Sequence, residues 1–311
     1  MTSTVLSTLD TAGRDAQQIA YLFWVMAAGA AVIWLGVTAL ALYAMRERRS
    51  LWSPARGYRL IVGGGVVLPT VVLGALLGFG LPGLTPLLET PRPGALTIAV
   101  SGEQWWWRVR YLLPSGQTVE LANEIRLPVG EHAEIQLTSD NVIHSFWIPS
   151  ISGKVDMIPG RTTRLSLEPT RIGTFRGTCA EYCGASHALM GFSVAILEKD
   201  TFTAWLASQA GDALEPVAPE AVRGREFFSS NGCAACHAIR GTNADGGIGP
   251  DLTHVGGRLS LAAATLPNEP AHLADWIAQP HRTKPGVLMP AFNMLPVGEV
   301  QAMAAYLSGL K

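Results

Sequence analysis

The chain has 311 residues, a formal net charge of −1, 48% apolar residues and 15% charged ones, with a mean hydropathy of +0.24. Soluble domains carry about 25% charged residues, so part of the chain is expected in lipid, and the missing basic surplus excludes a nucleic-acid partner. The four cysteines are too few for a disulfide framework and fall into two tight pairs, Cys179/Cys183 and Cys233/Cys236, which points to chemistry rather than stapling.

The apolar surplus lies at the front. Ile19–Met45 is an uncharged run of 27 residues and Leu60–Pro82 one of 23; a helix needs about 20 residues to cross the hydrocarbon core. The first run is longer than a signal-peptide core and has no basic cluster ahead of it, so both are read as transmembrane helices. Between them stand Arg46, Arg48, Arg49, Arg56 and Arg59 against a single Glu47. Basic loops stay on the cytoplasmic side, which places the N-terminus and everything after the second helix on the outer face. Pro69 falls inside the second helix, where neighbouring groups can re-satisfy the backbone.

A Pro/Gly-rich exit, Leu81–Pro93, leads into short alternating runs at Leu96–Ala99, Thr118–Leu121, Ala133–Leu137, Thr163–Leu167 and Ser193–Leu197. Turn residues such as Pro114-Ser115-Gly116 and Pro159-Gly160 separate them, the pattern of an antiparallel sandwich or barrel. Asp200–Gln209 reads as a short helix and Ala210–Pro219 as a linker. Helical texture returns from Ala221; in Pro296–Leu310 the residues Val300, Met303, Ala304 and Leu307 mark one buried face. The expected division is an outer N-terminal segment 1–18, helices 19–45 and 60–82 with a cytoplasmic loop 46–59, a β domain 83–199, a linker 200–220 and an all-α domain 221–311.

Cys179, Cys183, His187 and Met190 crowd one loop within twelve residues. Thiolate and thioether favour copper, and imidazole accepts it readily. Two thiolates suggest two coppers bridged by both sulfurs, a pair that spreads one electron over two metals. His144, in the run Val142-Ile143-His144-Ser145-Phe146-Trp147, is the candidate ligand from upstream, with aromatics beside it to keep out water. Zinc accepts thioether poorly, and a Cys179–Cys183 disulfide would leave His187 and Met190 unused.

With these residues in view, 1–200 resembles subunit II of a haem–copper cytochrome c oxidase. The resemblance rests on Cys179-x-Glu181-x-Cys183-x3-His187-x2-Met190, on the His144 strand, and on Gly102-Glu103-Gln104-Trp105-Trp106-Trp107. It implies a two-helix hairpin and a cupredoxin-like sandwich. Cys179 and Cys183 would bridge the dinuclear copper centre called CuA. His144 and Met190 would complete one copper; His187 and the Glu181 main-chain carbonyl would complete the other. The Glu181 carboxylate would bind a magnesium ion shared with subunit I, and Trp105 would lie on the route by which electrons arrive. Core packing is an equally good reading of Trp106 and Trp107. One departure stands out: the family's mitochondrial type has a carboxylate near the start of the second helix, and Leu60–Gly65 has none, which puts proton uptake at this subunit in doubt.

Cys233-Ala234-Ala235-Cys236-His237 is the C-x-x-C-H signature of covalent c-type haem, with His237 as proximal ligand. The sixth ligand is expected to be Met289, in Leu288-Met289-Pro290, which looks like the axial-ligand loop of class I cytochromes c; Met294 is second, and Met303 is assigned to the core. Pro250, in Gly249-Pro250-Asp251, would hold the His237 N–H with its carbonyl. His132, His254, His272 and His281 are read as surface or loop histidines.

The whole chain is thus expected to be a membrane-anchored oxidase subunit II with a fused C-terminal cytochrome c, in a bacterial inner membrane. Electrons would pass from an external cytochrome c or a quinol–cytochrome c reductase complex, through haem c and CuA, to the oxygen-reducing site of subunit I. Subunit III would be a further partner, and the reaction would be coupled to proton translocation. An electron-input subunit of a CuA-containing nitric oxide reductase is the alternative. A quinol oxidase subunit lacks the copper ligands, and a copper chaperone has no use for a haem.

Overall fold

The computed structural model describes residues 6–46, 53–81 and 94–311. Glu47, Arg48 and Arg49 of the arginine-rich loop, and the exit from Pro82 to Pro93, lie outside the described residues.

Helix α1 spans Arg14–Arg46, 33 residues, or about 50 Å at 1.5 Å per residue. A second helical stretch runs from Pro54 to Gly80. It consists of α2 (Pro54–Val62), a π-turn at Gly63–Val67 and α3 (Leu68–Gly80). The π-turn has a local cause. Pro69 has no N–H to offer the preceding turn, the three glycines Gly63–Gly65 bend easily, and the Leu68 amide bonds Gly63 O, five residues back. The apolar stretch of each helix has no buried residue, so side chains such as Trp34 and Phe79 present surface that only lipid or other helices can cover.

The β domain is a sandwich of two five-stranded sheets, ordered β3-β2-β1-β5-β8 and β4-β10-β9-β6-β7. The first sheet contains β1 (Leu96–Glu103), β2 (Trp106–Leu112), β3 (Thr118–Ala122), β5 (Ala133–Ser139) and β8 (Thr163–Leu167). The second contains β4 (Glu124–Pro128), β6 (His144–Trp147), β7 (Val155–Met157), β9 (Gly173–Cys179) and β10 (Gly191–Leu197). Pairing is antiparallel except for β1 with β5 and β4 with β10. In β1, Ile98 and Val100 alternate inward, as a half-buried strand requires.

Between the sheets the Trp107 ring meets Phe146 edge-on at 5.7 Å and Phe192 at 5.2 Å, while Phe146 stacks on Phe192 at 4.8 Å. Gly177 on β9 makes room for the Phe192 ring, since any Cβ there would overlap it. This cluster packs directly under the ends of β6 and β9, where the chemistry-bearing residues lie.

After α4 (Lys199–Gln209) the last domain is helical: α5 (Pro219–Ser230), α6 (Pro270–Ala278), the short α7 (Pro280–Thr283) and α8 (Val297–Gly309), with a small β11–β12 hairpin at Ala238–Asp245. Proline begins α5, α6 and α7, where its missing N–H costs nothing. Val300, Met303, Ala304 and Leu307 are buried as their spacing predicts. Phe228 of α5 meets Tyr306 of α8.

Gly224 is what allows α5 and α8 to approach: a Cβ there would fall on the Ala302 carbonyl. Gly224→Ala is therefore expected to destabilise this domain by about 1–3 kcal/mol through overpacking. Each kcal/mol is worth about 4–8 °C in a domain of this size, so thermal unfolding followed at the haem band will show the loss.

The helical domain rests on the sandwich, and the two form one compact unit. Arg108 donates to Gly247 O at 3.0 Å, the Leu259 amide to Glu124 Oε2 at 2.6 Å, and Ser193 and Ser260 exchange a hydroxyl bond at 2.9 Å. Arg108 is also paired with Glu103 and Glu120, so its buried charge is neutralised on the sandwich side.

Candidate redox centres

The β9–β10 loop carries Cys179, Cys183, His187 and Met190; His144 arrives from the start of β6. Cys179, Cys183, Met190 and His144 are all buried. The two sulfurs are 3.9 Å apart. Cys179 Sγ lies 3.8 Å from His144 Nδ1 and 3.2 Å from Glu181 O. Cys183 Sγ lies 3.5 Å from His187 Nδ1 and 3.8 Å from Met190 Sδ. Two thiols, two imidazoles, a thioether and a carbonyl therefore converge on one small volume.

The backbone is arranged to permit this. A Cβ at Gly102 would stand 2.8 Å from the His144 ring, so β1 needs glycine there. The amide of Ala180 donates to Ser145 O at 2.9 Å and that of Cys179 to Met190 O at 3.0 Å, which pins both ends of the loop. The hydrogen bond with Cys183 pulls the Cys179 thiol well below its ordinary range, and the same contact pushes Cys183 up. Soft sulfur donors with imidazole suit copper, so the donor set fits a copper centre of the CuA type.

The Glu181 side chain is elsewhere. Its carboxylate is half exposed and lies 3.7 Å from Lys154 Nζ, which also binds Asp156 at 3.0 Å.

In the helical domain Cys233, Cys236 and His237 follow α5 through a short turn and line a cavity of about 260 Å³ together with Met289, Leu252, Leu273, Trp276 and Leu307. His237 Nδ1 is 2.8 Å from Pro250 O. A carbonyl only accepts, so Nδ1 carries the proton and Nε2 is free to bind a metal. Burial lowers the His237 pKa, which favours the neutral ring a ligand requires. Gly249 leaves space beside it, since a Cβ would stand 2.5 Å from His237 Cε1.

Met289 is partly buried at this cavity; Met294 is 73% exposed and Met303 is 1% exposed in the helical core. Arg258 also lines the cavity, with a buried Nε that has no partner, and so offers a cation to an acidic group in it. The apolar walls, the paired cysteines and the unpaired Arg258 Nε fit a haem with its carboxylates.

Trp105 belongs to both sites. Its indole N–H donates to Cys183 O at 3.0 Å, and its ring lines the haem cavity. Trp106 also lines that cavity, under the Arg108 guanidinium at 4.7 Å. Trp107 is fully buried in the sandwich core.

The family profile described as "Cytochrome C oxidase subunit II, periplasmic domain" matches residues 109–197, and the profile "Cytochrome c" matches 221–311. A cytochrome c oxidase subunit 2 of Branchiostoma floridae is 33% identical over 195 residues, covering 54% of this chain and 82% of that protein. The chain belongs to the cytochrome c oxidase subunit 2 family.

A bacterial member of the family, from Alkalihalophilus pseudofirmus, is 38% identical over 214 residues, 69% of this chain and 61% of its own length. The chain spans about three-fifths of the length of this relative and of two from Bacillus that it also matches. A crystal structure of the periplasmic domain of subunit II from Bradyrhizobium japonicum shares 30% identity, covers 39% of this chain and 96% of its own, and superposes with a TM-score of 0.36. The CuA-type donor set and the cytochrome c domain together imply copper and haem c.

The placement of three polar residues was invisible in the sequence. His254, expected as a surface or loop histidine, lies in a loop but is only 9% exposed, with Nε2 on Gly211 O at 3.2 Å; it fastens the segment after α4 to the helical domain. Arg258 and Lys284 carry no motif at all, and only the fold brings them to the cavity.

Proposed function

We propose that this chain is the electron-input subunit of a membrane-bound terminal oxidase, passing electrons from haem c to a dinuclear copper centre and on to an oxygen-reducing subunit I. The observation that carries the reading is the position of Trp105, bonded to the copper loop and lining the haem cavity. When bound, the haem and the copper pair each take up and release one electron.

The chain's own residues do the rest. Cys179, Cys183, His144, Met190, His187 and the Glu181 carbonyl would hold the copper pair. Cys233 and Cys236 would tether the haem, and His237 and Met289, which line the same cavity, would be its iron ligands. Pro250 fixes the His237 ring, and such an outer contact tunes the bound metal. Trp107, Phe146 and Phe192 keep water from beneath the copper loop. Holding the haem on the same chain replaces a diffusional encounter by a high effective concentration.

The apolar helices anchor the subunit in a bacterial inner membrane, with the arginine-rich loop inside and both redox domains on the periplasmic face. The donor is an external cytochrome c or a quinol–cytochrome c reductase complex, subunit III is a further partner, and turnover is coupled to proton translocation in the complex. Lys154 already pairs with Asp156 and Glu181. A magnesium ion at Glu181 must therefore displace an ammonium and draw its other ligands from subunit I.

Purification of the complex with identification of its chains is the test. The expected result is a haem–copper subunit I, a haem c band, a near-infrared copper band and cytochrome-c-driven oxygen uptake. Consumption of nitric oxide without oxygen uptake would replace this reading with a nitric oxide reductase.

A further inference from the structure

Lys284 is the residue that the proposed function leaves unexplained. It stands in a Pro/Gly segment after α7, where a lysine is ordinarily solvated, yet it is 2% exposed and ranks with tryptophan and phenylalanine among the largest fully buried side chains. Burial lowers its pKa to about 7. Its ammonium donates to the Trp105 main-chain carbonyl at 2.5 Å, across 179 positions of sequence. Burying an ammonium on a carbonyl rather than a carboxylate is costly, so the position calls for a reason.

The neighbours supply one. The Pro285 carbonyl accepts from Ser186 Oγ at 2.7 Å; Ser186 is fully buried and adjoins His187. Gly286, at φ +83°, passes so close to the Trp105 ring that a Cβ would stand 3.0 Å from Cη2. Val287 packs against the sandwich core, whereas Met289, two residues on, packs in the helical core. The segment therefore crosses from one domain to the other against the Cη2 and Cζ3 atoms of the Trp105 ring, fastened on either side.

We infer that Lys284–Val287 is an interdomain latch, in which Lys284 is a positioning residue that holds the Trp105 ring between the haem cavity and the copper loop. The inference rests on the Trp105 route proposed above. The step it serves moves one electron: the haem side is oxidised and the copper side reduced by one equivalent, with no bond or proton exchanged. Three hydrogen-bonded fixings, Lys284 to Trp105 O, Ser186 to Pro285 O and the Trp105 indole to Cys183 O, leave the ring little freedom. Removing the ammonium strands the Trp105 carbonyl and releases one of them.

The experiment compares Lys284→Met, Lys284→Arg, Gly286→Ala and Trp105→Phe in the intact oxidase complex. Three readouts are taken: the haem and near-infrared copper bands, deuterium exchange over residues 100–110 and 182–190, and the haem-to-copper electron-transfer rate after flash reduction. Lys284→Met and Gly286→Ala are expected to keep both bands, to exchange faster over both segments, and to transfer about tenfold more slowly, a rise in barrier of about one lost buried contact. Lys284→Arg, which keeps the donor, is expected to recover most of the rate.

Wild-type rates in Lys284→Met and Gly286→Ala, with Trp105→Phe slow, would overturn the latch and leave the Trp105 route standing. A wild-type rate in Trp105→Phe would overturn the route and the latch with it. Loss of the copper band in Lys284→Met would show a prop of the copper loop instead, and would also overturn the latch. If Lys284→Met does not assemble, Gly286→Ala decides: a slow rate with both bands intact supports the latch, and a normal rate overturns it.

Discussion

Cys183→Ser is expected to abolish the near-infrared copper absorption and leave the haem c spectrum unchanged. Cys183 Sγ has three donors around it: Cys179 Sγ at 3.9 Å, Met190 Sδ at 3.8 Å and His187 Nδ1 at 3.5 Å. Serine is nearly the same size, so the loop has no cause to collapse. Its hydroxyl, however, is a hard donor that stays protonated where a thiol ionises, and copper of this kind selects soft thiolate. A single remaining bridge cannot hold the two metals as a pair. The haem side is insulated from the change. Trp105 and Gln104 reach Cys183 through its main-chain carbonyl, at 3.0 and 2.8 Å, and serine keeps that carbonyl. Cys233 and Cys236, the proposed haem tethers, lie in another domain. Loss of both spectra, or of neither, would refute the assignment of separate copper and haem centres.

The two chemical centres were legible because each is nearly contiguous. A loop of Cys179, Cys183, His187 and Met190 and a C-x-x-C-H run both present candidate ligands by their spacing, and alternation marked β1, β3, β5, β8 and β10. Two of the strands that escaped notice, β2 and β9, share a cause. In β2, Arg108 occupies a buried position that only pairing with Glu103 and Glu120 makes tolerable. In β9, Gly177 stands where the Phe192 ring of β10 needs room. In both, tertiary partners rather than local pattern decide the strand. Helix α6 was hidden by its brevity, nine residues opening on proline. Lys284 and His254 illustrate the same limit at single residues: a polar side chain in a Pro/Gly-rich stretch reads as solvated, and its burial depends on groups far away in the chain. Trp105 was singled out from its neighbours only through family resemblance; its contact with both centres is a product of how the two domains meet.

Met289→Ala should alter the sixth-ligand signature of the haem while leaving the covalent haem and the copper band in place. Met289 is packed against the helical core and lines the same cavity as His237. Met294, five residues on, is 73% exposed and does not line it. Met303 is closed off in the core of α8. A thioether on the iron raises the haem potential relative to weaker or nitrogenous ligation, so its loss is expected both to change the optical spectrum and to lower the potential. The direction has a functional consequence, because a lower haem potential makes transfer towards copper more downhill but capture of electrons from the donor harder. The variant is therefore expected to show slower reduction by external donor even where the internal step persists. Met294→Ala is the control: an unchanged spectrum in Met289→Ala together with a changed one in Met294→Ala would move the ligand to Met294, and would require the Leu288–Leu295 segment to refold across the cavity mouth.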